Sequence, residues 1–86
     1  MKLWLLLPNL EEIGDKTNPW KPFYDKVHGH VVRAETEEEA RQLAESMSGD
    51  ESRKAGKVWL DAKYTTCVEL TADGPAEHVL RDYSAS

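Results

Sequence analysis

The stretch Val31–Met47 constrains this chain more than any other. Ala40, Leu43, Ala44 and Met47 recur at i, i+3, i+4 and i+7, the spacing that stacks side chains on one face of an α-helix. Thr36 is placed to cap the first turn, and Glu39 three residues on completes a capping box. Glu37, Glu38 and Glu39 sit where the positive end of the helix dipole favours anions. Gly49 follows the last periodic residue and suits a left-handed C′ position. Val31 to Ala34, just upstream, reads as the end of a strand that runs straight into this helix.

A second constraint is Lys2–Leu7, a strand halted by Pro8. Leu3, Leu5 and Leu7 fall on one face and Trp4 and Leu6 on the other. A strand apolar on both faces belongs at the centre of a sheet covered twice. The helix supplies one cover. The other is expected from Asn9–Lys26, which carries Trp20, Phe23 and Tyr24 around Pro19 and Pro22, residues that exclude a regular helix or a central strand. This segment is read either as an aromatic lid over the open sheet face or as an exposed aromatic patch that docks on a partner.

In chain order, Val27–Glu35 is the second strand and Ser48–Lys57 a polar, mobile surface loop. Val58–Asp61 is a short turn or helical stub whose Trp59 closes one end of the core. Tyr64–Thr71 is the third strand, with Tyr64, Thr66, Val68 and Leu70 on one face and Thr65, Cys67, Glu69 and Thr71 on the other. A turn at Ala72–Pro75 leads to a last strand, Glu77–Tyr83, paired with the third as a hairpin. The order ββαββ is an α+β domain: an antiparallel or mixed sheet of three to four strands, with one amphipathic helix packed on one face. Residues 1–86 form a single domain.

Sixteen acids against eleven bases give a net charge of −5. That balance disfavours direct binding to nucleic acid or to an anionic membrane and fits a protein partner with a basic surface. The lone Cys67 rules out an internal disulfide. The apolar run Leu3–Leu7 is shorter than the roughly 7–15 residues of a signal-peptide core and far too short to cross a bilayer. A cytoplasmic protein is expected.

No catalytic signature is present, so the expectation is not an enzyme and no cofactor is implied. His28 and His30, with Cys67 or His78, offer nitrogen and sulfur ligands for a metal, but in no established zinc spacing. Cys67 sits in plain strand sequence, which suits a structural residue better than a nucleophile. Glu37 and Arg41 form a helical i, i+4 pair. Glu37, Glu38 and Glu45 read as a solvated acidic helix face, extended by Glu35, Asp50 and Glu51. Its functional version imitates phosphate charge and occupies a basic nucleic-acid groove on another protein, with Trp20 and Phe23 as anchors.

The run Val31–Ala44, with Trp59–Cys67 and Val79–Ala85, resembles small uncharacterised proteins of prokaryotes and their phages. The resemblance implies binding to a host complex, as anti-CRISPR proteins and other inhibitors of bacterial defence nucleases do. The expected function is therefore a phage-type inhibitor, acting in the host cytoplasm, that blocks the nucleic-acid-binding surface of a defence complex. Two alternatives stand beside it: a structural or regulatory homo-oligomer that pairs through an exposed sheet edge, and a small metal-binding domain built on His28, His30 and Cys67.

Overall fold

The structure, a computed structural model, describes residues 1–13, 18–21 and 25–83. Its elements are β1 (Lys2–Pro8), β2 (His30–Ala34), α1 (Glu37–Ser46), the short helix α2 (Glu51–Ala55), a 3-10 turn at Val58–Leu60 and β3 (Thr65–Leu70). The sheet has three strands in the order β2-β1-β3, and β1 pairs antiparallel with both neighbours. The doubly apolar strand is thus central, as its composition requires. β2 and β3 run parallel to each other on either side of it, joined through α1, which is a split βαβ arrangement. The domain is α+β.

Register fixes two faces. Leu6 stands opposite His30 on one side and Cys67 on the other, and Trp4 opposite Val32 and Glu69. With Ala34 and Thr65, these form the face beneath α1. Trp4 and Leu6 are buried there against Ala40, Ala44, Val58 and Trp59. The Trp4 indole Nε1 donates to the Ala34 carbonyl at 3.0 Å and so ties β1 to the end of β2 just before the helix. Leu3, Leu5 and Leu7 look the other way, with Val31, Arg33, Thr66, Val68 and Leu70 as their neighbours.

The structure departs from the sequence reading in five places. Of the aromatic segment, Phe23 and Tyr24 lie outside the described residues, and Trp20 and Ile13 join the same core as α1 and not the open face: Trp20 meets Trp59 edge to face at 5.7 Å between ring centres. The inner face of α1 is Ala40, Arg41 and Ala44, while Leu43 is 43% and Met47 73% exposed. Gly49 is not left-handed, since among the described glycines positive φ occurs only at Gly56 and Gly74. Residues 51–55 are helix α2, with Glu51 fully buried, where a mobile loop was expected. Finally, residues 77–83 form no strand, so the hairpin with β3 is absent and the order is ββααβ.

Candidate functional site

The first turn of α1 is built as its sequence dictates. Thr36 has extended backbone angles and its Oγ1 accepts from the Glu39 N–H at 3.2 Å. Glu39 reaches back to take the N–H of Glu35 at 3.1 Å, one residue before the usual capping-box donor. Glu37 accepts from Arg41 Nε at 2.9 Å. That pair extends inward, because Arg41 Nη1 donates to the Trp59 carbonyl and Thr65 Oγ1, and Nη2 donates to the Thr65 carbonyl. A guanidinium fills this position because its fork satisfies carbonyls left over by the 3-10 turn and the start of β3.

This inward turn has an electrostatic consequence. Arg41 is the only cation of α1 and it is buried. The solvent side of the first turn therefore presents Glu35, Glu37 and Glu38, which are exposed, and Arg41 reaches only Glu37 among them. Beside them lies a shallow depression of about 470 Å³, floored by Gln42, Leu60 and Ala62.

The rest of the expected acidic surface is turned inside. Glu51 is fully buried. Its Oε1 accepts from the Val27 N–H at 3.0 Å, and its Oε2 from Gly49 N–H at 2.9 Å and Trp59 Nε1 at 2.8 Å. Burial pushes its carboxyl pKa up, but the hydrogen bonds from Trp59, Gly49, Val27 and its own N–H outweigh this and hold it below its usual value. Glu45 is half-buried and accepts from the Trp59 N–H, Ser48 and Ser52. Asp50 is half-buried and accepts from Arg53 at 3.5 Å. Of the six expected acids, Glu35, Glu37 and Glu38 are exposed and the other three are drawn wholly or partly inside. The missed signal was polar crowding: small and hydroxyl residues at 46, 48, 49 and 52 interleave with Glu45 and Glu51, a pattern that suits satisfied carboxylates.

The expected aromatic anchors are not on this surface either. Trp20 is 5% exposed, and its Nε1 donates to the Val27 carbonyl at 2.8 Å. Phe23 lies outside the described residues.

The histidines and Cys67 are kept apart by the sheet itself. His30 and Cys67 flank Leu6 on opposite strands, two strand spacings or roughly 9.6 Å apart. His28 is exposed ahead of β2. Among the described residues no three His, Cys, Asp or Glu side chains cluster as metal ligands. His30 instead stacks edge-on to Trp59 at 4.5 Å. Burial lowers its pKa, partly offset by the carboxylates of Glu51 and Glu45. Burial likewise raises the Cys67 thiol pKa, with Arg41 opposing and Glu37 adding. A thiol held protonated in this way is a poor nucleophile.

The open face of the sheet is the other unusual surface. Val31 is 55% and Val68 57% exposed, either side of Leu5. Along one end of it the exposed C-terminal segment forms a wall. Leu80, Asp82 and Tyr83, with Leu5, Leu7 and Leu10, enclose a groove of about 420 Å³.

No described helix is long and apolar enough to cross a membrane. Comparison of the chain with family models, curated proteins and solved structures finds no match.

Proposed function

We propose that this protein is a non-enzymatic binding protein that sets the first turn of α1 against a basic surface of another protein. The observation that carries the reading is the inward-turned Arg41. That turn draws the one cation of the helix inward onto Glu37, so that Glu38 stands without a cationic partner among the described residues and Glu35 meets only the amino terminus at 4.0 Å, on a rigid, capped helix end beside a shallow depression. Carboxylates spaced along a helix offer a cationic groove what a phosphate backbone offers it, namely negative charge at fixed intervals. The basic surface is therefore one that otherwise holds nucleic acid. The resemblance to phage proteins directs the proposal to a host defence complex in the bacterial cytoplasm.

The test uses the Glu35→Lys/Glu38→Lys variant, which spares the Glu37–Arg41 pair. Wild type should retain a nucleic-acid-binding complex from a bacterial host lysate and displace a labelled oligonucleotide from it. The variant should do neither, while keeping its near-UV circular dichroism. Equal retention by both proteins, or retention without displacement, overturns the reading.

A further inference from the structure

We infer that two copies of this chain pack open face to open face, about a two-fold axis along the row Val31–Leu5–Val68. Three rows of side chains make up that face. Arg33–Leu3–Leu70 lies at one end, Val31–Leu5–Val68 in the middle and Gly29–Leu7–Thr66 at the other. In a chain with sixteen acids, none falls on these nine positions. Six of the nine are leucine or valine, and the only charge is Arg33, which is exposed and has no ion pair among the described residues. Depletion of charge around apolar side chains is the signature of an interface core.

The chain's own tail tells which occupant fits. Residues 80–83 line a groove with Leu5, Leu7, Leu10 and residues 28–31, so they wall the Leu7 end and reach the middle row, where Leu5 is 7% exposed while Val31 and Val68 stay open, and they leave the Leu3 end unwalled. That tail carries Asp73, Glu77 and Asp82 against one cation, Arg81, and Arg81 is stacked on Tyr83 at 4.6 Å. A two-fold axis along the middle row reverses the strands of the second copy. Its Leu7 end and acidic tail then cover the bare Leu3 end of the first, and the reverse holds on the other side. Arg33 is brought over the partner's Gly29, where there is no side chain to obstruct it and where Asp82 lines the groove. Apolar rows meet apolar rows, and each unpaired guanidinium meets a carboxylate, the self-complementarity that a two-fold interface demands.

Size sets the strength. Three strands about 4.8 Å apart and six residues long at about 3.3 Å per residue present roughly 280 Å² of flat sheet per copy. A stable complex buries about 800 Å² per partner, so even with the tails added this association belongs to the weak, concentration-dependent class. It is also independent of the acidic-helix proposal, because α1 covers the opposite face of the sheet.

Sedimentation equilibrium of the full chain, from roughly 10 μM to 1 mM, tests the inference. Wild type should pass from monomer to dimer across that range. Val68→Glu, which places a carboxylate in the middle row at an already exposed site, should weaken association by roughly tenfold or more. Arg33→Glu should weaken it too, and Arg33→Glu/Asp82→Arg should restore it, because the reversed pair keeps its attraction. A wild-type monomer throughout overturns the inference. So does a Val68→Glu protein that dimerises like wild type, or a charge swap that fails to recover what Arg33→Glu loses.

Discussion

Trp59 Nε1 donates to Glu51 Oε2 at 2.8 Å, so the largest fully buried side chain of the core is fastened to a carboxylate that is itself fully buried. Glu51 thereby joins three parts of the chain: the approach to β2 at Val27, the end of the α1 region at Gly49 and the 3-10 turn at Trp59. Glu51→Gln keeps the shape but replaces one acceptor oxygen by an NH₂ group, which cannot receive these donors. Buried donors left unpaired cost about 1–3 kcal/mol each, so a loss of about 2 kcal/mol is expected in urea unfolding at neutral pH.

The same cluster predicts acid sensitivity in two steps. His30 has a folded pKa below its ordinary 6.5, so the unfolded chain binds the proton more readily. Its neutral-state stability is complete above pH 6.5 and is lost as pH falls toward the lowered folded value. Glu51 behaves alike from its ordinary 4.5 downward, losing its contribution as pH falls through its depressed folded pKa. Urea midpoints measured from pH 7.5 to 3 should fall with acid in both windows. His30→Phe, which keeps a ring against Trp59, should flatten only the upper one.

Arg41 is expected to resist conservative replacement. Its guanidinium serves Glu37, Thr65 and the carbonyls of Trp59 and Thr65 at once, which the single ammonium of lysine cannot do. Arg41→Lys should cost about 1–3 kcal/mol in chemical denaturation, well beyond the few tenths of an exposed helical ion pair.

Gly49 should tolerate no side chain, for reasons of contact alone. A Cβ there would lie 2.5 Å from the Asp25 carbonyl oxygen and 2.9 Å from Glu51 Oε1. Both atoms are held in place, since Asp25 O accepts from the Asp50 N–H and Glu51 is fixed as above. Gly49→Ala is expected to lower stability by about 1–3 kcal/mol, read as a drop in melting temperature.

What the sequence made legible was local. The Thr36 cap, the Glu37–Arg41 spacing and the doubly apolar Leu3–Leu7 run each declare themselves within a few residues, and all three hold. The face of α1 was misread because Leu43 outranks Arg41 on any hydropathy argument. Only the fold shows that the carbonyls of Trp59 and Thr65 wait for a guanidinium. Glu51 reads as surface charge from sequence because its donors come from Val27 and Trp59, distant in the chain. Residues 77–83 follow a turn and so read as the returning strand of a hairpin, yet a turn says nothing about whether a partner lies in register, and the chain carries residues 80–83 to the open face. The exposed acids at Glu37 and Glu38 are legible directly, whereas the inward turn of Arg41, which leaves Glu38 without a cationic partner among the described residues, is not.

The central position of β1 also sets a schedule. Its partners are β2, which starts at His30, and β3, which is complete only at Leu70. During synthesis at about 5–20 residues per second, Leu3–Leu7 spends roughly 3–12 s between its own appearance and that of its second neighbour. Through that interval its backbone donors on one side are unsatisfied and its leucines lack cover. The segment most essential to the finished sheet is also the one most open to self-association or chaperone capture at birth, and the pace of translation bears on how much of this protein reaches its native form.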